Sequence, residues 1–159
     1  MTGTEIFIAF GSNEEPHRHL KEGIKQLRDI VTDVKLSSCY RSRSCNGGAD
    51  YLNLVVSART QEGAYSTLVI QLKEIEKKCG RIKNSEHRCA LDLDLLLFGE
   101  LIIDNVLPHD DLYRYPHVLV PFCELAGERE DLLYHVKYRE LMDRRDFVES
   151  ESLTEIDII

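Results

Sequence analysis

The sequence predicts an α+β domain with an antiparallel sheet, on three observations. Segments with apolar residues at every second position alternate with segments whose apolar residues recur three and four apart. These segments follow the order strand, helix, strand, strand, helix, strand. The 159 residues, 43% hydrophobic and 30% charged, fit one compact domain.

Thr4–Phe10 alternates around Ile6, Ile8 and Phe10 and reads as a strand, which Gly11-Ser12-Asn13 is expected to break. Leu20, Ile24, Leu27 and Val31 then recur at helical spacing after Pro16, a residue favoured in a first turn. Val34–Ser42 and Tyr51–Thr60 are strand-like. Between them lies Ser44-Cys45-Asn46-Gly47-Gly48, a turn-rich run whose glycines allow it to reshape around a ligand. Leu68, Leu72, Ile75 and Cys79 line one face of a second helix, which Gly80 ends as a C-cap. Ala90–Phe98 is a strand again, followed by a turn at Gly99-Glu100 into Leu101–Ile103. The order is the split βαβ pattern of a ferredoxin-like βαββαβ sandwich. Beyond Pro108, helices near Val118–Ala126 and Tyr138–Phe147 flank a short apolar run, Leu132–Val136. With neither repeat nor linker, residues 1–145 read as a single domain with additional C-terminal helices, and 146–159 as an acidic C-terminal tail.

Charge narrows the partners. Lys+Arg 20 against Asp+Glu 28 gives a formal net charge of -8, and the pI is near 5.2. Such a surface repels nucleic acid phosphates and anionic lipids, so neither nucleic acid nor membrane is an expected partner. No apolar run approaches the roughly 18 residues of a membrane span, and Met1–Phe10 is too short and mixed for a signal peptide. Cys39, Cys45, Cys79, Cys89 and Cys123 are odd in number and lack C-x-x-C pairs, so they read as reduced thiols in a cytoplasmic protein. The charge is uneven. Asp146, Glu149, Glu151, Glu155 and Asp157 are followed or interrupted by no Lys or Arg, as in a solvated tail. Lys73, Lys77, Lys78, Arg81, Lys83 and Arg88 instead outnumber Glu74, Glu76 and Glu86. That stretch suits either an anion site or a solvated helix face.

The run Leu91-Asp92-Leu93-Asp94-Leu95 carries the most chemistry. Strand alternation sends Asp92 and Asp94 to one face and the leucines to the other. Two like charges so close need a compensating cation, either a nearby Lys or Arg or a hard divalent ion; Mg²⁺, which takes one or two carboxylates and completes its shell with water and substrate phosphates, suits the pair. An edge strand with two solvated acids fits the same run. The basic loop Arg81–Arg88 leading into it favours phosphate handling, with cations that neutralise a transferring phosphoryl group. There is no G-x-x-x-x-G-K-[ST] loop, which excludes a P-loop.

Several further motifs share one order and spacing. They are Phe10-Gly11-Ser12-Asn13, Tyr40-Arg41-Ser42, Asp50-Tyr51-Leu52-Asn53, Ile75-Glu76 with Gly80-Arg81, Leu91 to Gly99, Pro108-His109, and Pro121 before Glu124-Leu125-Ala126. Over roughly Ile6 to Glu128 the chain resembles the 6-hydroxymethyl-7,8-dihydropterin pyrophosphokinases of folate biosynthesis, which move pyrophosphate from ATP to the pterin hydroxymethyl group. The resemblance implies a ferredoxin-like fold, ATP and a pterin as substrates, and two Mg²⁺ ions held by Asp92 and Asp94. It further implies that Asn53 reads the polar edge of the pterin, with Ser42, Tyr51 and His117 in the same pocket. Glu76, His109 and Arg114 would face the nucleotide, with Arg81 and Lys83 on its phosphates. The resemblance leaves the oligomeric state open.

The departures concern substrate-covering positions. The family signature places an arginine three residues before the first aspartate, where this chain has Cys89, with Arg88 one residue earlier. The loop between Arg81 and Asp92 is short, and the chain has no Trp. A second family arginine aligns with Tyr115, beside Arg114, and an aromatic that stacks on the pterin aligns with His117. A working enzyme, with Asp92, Asp94, Arg81 and Arg88 as its catalytic residues, is the reading these residues favour. A diverged binder of nucleotide or pterin, and an assembly module with structural acids, are the alternatives. Read without the family, His109 and His117 are ordinary surface or capping histidines.

Overall fold

Strand β1, Thr4–Ser12, divides the molecule into two faces. A computed structural model describes residues 2–44, 47–82, 87–144 and 154–156. Because strand side chains alternate, Ile6, Ile8 and Phe10 enter one hydrophobic core while Phe7 enters a second on the opposite face. The strand runs through Gly11-Ser12, contrary to the expected break, because both residues pair with β4 (Tyr51–Thr60), Gly11 opposite Asn53 and Ser12 opposite Leu52.

β4 pairs antiparallel with β1, and β5 (Asp92–Phe98) pairs antiparallel with the other edge of β1. Along the far edge of β4 lie β2 (Thr32–Leu36) and β3 (Cys39–Ser42). The strand expected over Val34–Ser42 is therefore two. The interruption comes from a contact with β4: the Ser37 hydroxyl oxygen accepts the Val55 N–H at 2.8 Å, replacing a backbone acceptor of the ladder, while the Ser37 N–H donates to the Val55 carbonyl at 2.9 Å. The sheet order is β5-β1-β4-β3-β6, where β6 is Thr154–Ile156, with β2 on β4.

Helices α1 (Pro16–Arg28) and α2 (Tyr65–Lys78) cover the first face, setting Leu20, Ile24, Leu27, Leu68, Leu72 and Ile75 against the sheet. Each such buried side chain contributes roughly 1.5–3 kcal/mol of apolar burial. Helices α3 (Asp111–Arg114), α4 (Pro116–Ala126) and α5 (Tyr138–Arg144) cover the second face. There Phe122 packs against Phe7 and Tyr138, with ring centroids 5.0 and 4.6 Å apart. Burial on both faces accounts for the apolar run at the end of β5. Leu96 is an extra residue between the Ile8–Leu95 and Phe7–Leu97 pairs, and the resulting bulge sends Leu96 and Leu97 both into the second core.

One C-terminal expectation is corrected, and another reaches beyond the described residues. The helix expected to reach Phe147 is described only as α5, and residues 145–147 lie outside the described part. Thr154–Ile156, expected in a solvated tail, forms β6 and pairs antiparallel with β3, Tyr40 opposite Glu155. Its single inward residue, Ile156, packs on the first core, a contact that a charge count conceals. Among the described residues no helix is long and apolar enough to cross a membrane.

Asn13 ties together the loops at the pocket end of the sheet. Its amide donates to the carbonyls of Ala49 at 3.3 Å and His87 at 2.9 Å, and its side-chain oxygen accepts the Cys89 N–H at 2.6 Å. The Asn13 N–H also donates to the Cys89 carbonyl at 3.0 Å. Gly48 is required where these loops meet, since a Cβ there would lie 2.4 Å from the His87 carbonyl oxygen. Asn13→Ala strands one buried donor and two acceptors, and is expected to lower unfolding free energy by about 2 kcal/mol in urea denaturation. A loss below a few tenths would show that the loops are held some other way.

Candidate active site

Leu93 and Leu95 belong to the first core, so Asp92 and Asp94 point to the other side of β5, toward α3 and α4. There they line a cavity of about 260 Å³. Its floor is Ala9 and Gly11 of β1, and its walls include Ser42, Arg43, Tyr51, Asn53, Asp111, Tyr115 and His117. Six residues expected at the site from sequence thus line one pocket: Ser42, Tyr51, Asn53, Asp92, Asp94 and His117.

Asn53 has a defined orientation. Its NH₂ group donates to the Tyr40 carbonyl at 3.1 Å and the Ser42 hydroxyl at 2.8 Å. A carbonyl can only accept, which fixes the amide nitrogen on that side and turns the side-chain oxygen toward Gly11 and the cavity. The pocket therefore presents a hydrogen-bond acceptor, buried and rigid, to an N–H-bearing edge. Across from it the His117 ring stacks on Tyr115 at 5.1 Å and 24°, and the exposed Arg114 guanidinium sits 5.4 Å from the centre of the Tyr115 ring. Arg114 thus reaches the site through Tyr115.

The carboxylates are short of cations. Burial, then the charges of Asp92 and Asp111, push the Asp94 carboxyl up to about 8 from its ordinary 3.8, against a smaller opposing pull from Lys73. Asp92 is relieved by Arg81, whose Nη1 lies 2.8 Å from Asp92 Oδ1 and 3.0 Å from Glu76 Oε1. Glu76 is buried, accepts the Leu93 N–H at 2.9 Å through its other oxygen, and lies 3.5 Å from Lys73 Nζ. It joins the end of α2 to β5 and faces Arg81 as an anchor. The Arg81 backbone is fixed by the helix end. Gly80, at φ +91, donates to the Lys77 carbonyl at 3.0 Å, and the Arg81 N–H donates to the Glu76 carbonyl at 3.1 Å, a Schellman cap with glycine at the left-handed position.

His109, Asp94 and Asp111 place one ligand atom each within 4.8 Å of one another. The Asp111 N–H donates to His109 Nδ1 at 3.1 Å, so the neutral ring carries its proton on Nε2 and offers a donor. The oxygen donor set of Asp92 and Asp94, the latter held protonated by burial and by the neighbouring carboxylates, suits a hard divalent ion such as Mg²⁺.

One expected residue stands elsewhere. The Arg88 side chain is 67% exposed and its Nε is 3.9 Å from Glu14 Oε1, so it is not brought to the pocket. Lys83 lies outside the described residues. Cys89, where the signature arginine is expected, is a buried neutral thiol pushed up to about 11 by burial, with Arg81 opposing and Asp92 and Glu76 adding to the rise. Burial, the Cys89 thiol and Asp92 also raise Tyr51, whose hydroxyl stays neutral. Sequence reasoning passed over Arg43, Asp111 and the Tyr115 ring as pocket walls. Arg43 and Asp111 each adjoin a motif already singled out, at Ser42 and His109, and that adjacency was the available signal.

Comparison with known proteins identifies the family and the fold. A family model described as 7,8-dihydro-6-hydroxymethylpterin-pyrophosphokinase matches residues 7–127. The chain is 35% identical over 133 residues to the 2-amino-4-hydroxy-6-hydroxymethyldihydropteridine pyrophosphokinase of Haemophilus influenzae, covering 77% of this chain and 81% of that protein. It is 30% identical over 138 residues to the folate synthesis bifunctional protein of Arabidopsis thaliana, covering 81% of this chain but 28% of the relative. A crystal structure of a Plasmodium falciparum HPPK-DHPS triple mutant matches at a TM-score of 0.73 and 12% identity, over 90% of this chain and 43% of that chain, a likeness of fold. With its carboxylate pair, its Asn53 acceptor and its Glu76–Arg81 anchor in one place, the chain belongs to the 7,8-dihydro-6-hydroxymethylpterin-pyrophosphokinase family.

Proposed function

We propose that this pocket transfers pyrophosphate from ATP to the hydroxymethyl group of 6-hydroxymethyl-7,8-dihydropterin. The observation that carries the reading is the placement of Asp92 and Asp94 on the same cavity as the Asn53 acceptor. In the reaction the pterin hydroxyl oxygen bonds to the β-phosphorus, the bond from that phosphorus to the α–β bridging oxygen breaks, and AMP leaves as the hydroxyl proton is released. The chain must align the hydroxyl, neutralise the phosphates and keep water away.

Asn53 Oδ1 accepts from the N–H edge of the pterin, with Ser42 and Tyr51 beside it and the His117–Tyr115 stack supplying a flat wall. Asp92 and Asp94 hold the magnesium of the nucleotide, as two ions. Bound there, magnesium supplies charge neutralisation to the phosphate oxygens. His109 Nε2–H donates to the nucleotide, Arg81 to its phosphates from its seat on Glu76, and Arg114 and Lys83 border the nucleotide side. The four described cysteines are free thiols, which supports a cytoplasmic setting.

A second reading is favoured by Cys89: a relative that binds the nucleotide and transfers little, for want of the signature guanidinium. Release of AMP from ATP that requires both Mg²⁺ and the hydroxymethylpterin separates the two. No AMP at any enzyme concentration, with magnesium-dependent ATP binding still visible by calorimetry and lost in Asp92→Ala, would establish the second reading. For the enzyme, Arg81→Ala is expected to slow transfer roughly a hundredfold, the scale of losing a charge-stabilising donor. Arg88→Ala, on a side chain that faces Glu14, should change the rate by less than about threefold on the same scale.

Asp94 sets a pH dependence in the metal-free protein. Its folded value of about 8 lies above the ordinary 3.8, so the folded state holds a proton that the unfolded state has released. That contribution to stability is present in full below about 4 and is lost as pH rises through about 8. In EDTA, the melting temperature of wild type relative to Asp94→Asn should fall progressively across that interval. A difference that stays constant from pH 4 to pH 9 would contradict the assignment.

A further inference from the structure

Arg81 and a divalent cation need the same oxygen. Arg81 Nη1 is 2.8 Å from Asp92 Oδ1, on one of the two carboxylates assigned above to the metal, and the same nitrogen is 3.0 Å from Glu76 Oε1. The two contacts differ in kind. Glu76 is buried, its other oxygen is engaged by the Leu93 N–H, and it cannot follow a departing partner. Asp92 and Arg81 are each about a third exposed at the side chain, 37% and 36%, and Asp92, the partner of Arg81, lines the cavity. The Schellman cap fixes the Arg81 backbone, so its guanidinium can let go of Asp92 without leaving Glu76. Cys89, the position of the signature arginine, supplies a neutral thiol beside this pair and no second guanidinium.

We infer that Arg81 is an internal counter-ion which the metal displaces from Asp92, pivoting on Glu76 to face the phosphates. The inference rests on the reading of Asp92 as a metal ligand and adds to it a competition. With the protein alone, each metal-binding event must break the Arg81–Asp92 pair. Once the pair is broken, the guanidinium stands free on its anchor beside the cavity, where an entering polyphosphate accepts it. Metal and phosphates thereby assist each other's binding through one side chain, with no movement of the sheet. A partly exposed ion pair is worth a factor of roughly two to five in an equilibrium, and that is the size of the competition.

Mn²⁺ serves as the probe, because the free ion can be counted by electron paramagnetic resonance without nucleotide or turnover. In titrations at fixed pH and ionic strength, Arg81→Gln should bind Mn²⁺ roughly threefold to fivefold more tightly than wild type, although the same substitution slows transfer. Arg43→Gln removes an equal charge from the same cavity and should tighten binding by less than about twofold. Circular dichroism checks that each variant is folded, and Arg81→Met is the substitute should Arg81→Gln fail that check. Equal or weaker Mn²⁺ binding in the folded Arg81 variant overturns the exchange while leaving the metal assignment standing. Equal tightening in the Arg43 and Arg81 variants also overturns it, because the effect would then be one of general field. Absence of Mn²⁺ binding in wild type and variants alike, with or without ATP, overturns the inference together with the assignment on which it rests.

Discussion

Two carboxylates side by side on one face of β5 constrain the whole pocket end of this protein. The strand cannot slip to relieve them. A shift of one residue would drive Asp92 and Asp94 into the first core and expose Leu93 and Leu95 in their place. The charges must therefore be managed where they stand, and the metal-free protein manages them in two different ways. Asp94, the more enclosed, keeps a proton up to about pH 8. Asp92, at the rim, takes Arg81 as partner. The buried Glu76 carboxylate follows from the same arrangement, since it holds Arg81 in reach and is itself tied to β5 through the Leu93 N–H.

The opposite wall solves a different problem, that of offering polar atoms without letting them move. Ser42 and Asn53 sit on the paired strands β3 and β4 and bond to each other, so the Asn53 oxygen is aimed by the sheet. β3 is an interior strand because β6 covers its far edge, and the Tyr40 hydroxyl is bonded to Glu124 on α4. The recognition wall is thus braced from the sheet edge and from the helical layer above it. Between the two walls lies the end of β1, where Gly11 pairs with Asn53 on one side and Asp92 on the other, so strand register sets the separation of the acceptor from the carboxylates while Asn13 holds both loops to that end.

Periodicity made the fold legible because each core strand and helix here obeys its own repeat. Ile6, Ile8 and Phe10, or Leu68, Leu72 and Ile75, announce their faces without reference to anything distant. The misjudged places all depend on partners far along the chain. Gly11-Ser12 stays in β1 because β4 is there to pair with it. Ser37 divides a strand by bonding a backbone eighteen residues away. Thr154–Ile156 becomes a strand only because β3 offers an edge. The site follows the same rule. Asp92 and Asp94 are visible as neighbours on a strand, whereas the pairing of Arg81 with Asp92 needs the turn after Gly80 to fold back on β5. Arg88 looked like the natural replacement for the signature arginine because it is next to Cys89 in sequence. In space the closer guanidinium comes from a residue farther away along the chain.

The net charge of -8 takes a different meaning once the pocket is built. The basic run from Lys73 to Arg88 is not a bare anion site, since Lys73 and Arg81 are both directed at Glu76 and Lys77 lies 3.8 Å from Glu74. A polyphosphate arriving alone would meet two aspartates and a guanidinium already engaged. In the proposed exchange, a polyphosphate arriving with its metal would bring the positive charge that Asp92 and Asp94 lack and would release the guanidinium for its own oxygens. The acidity of the pocket thus acts as a selection. On that proposal it would favour the metal-bound nucleotide over the free one, through carboxylates whose mutual repulsion the metal-free protein must otherwise contain.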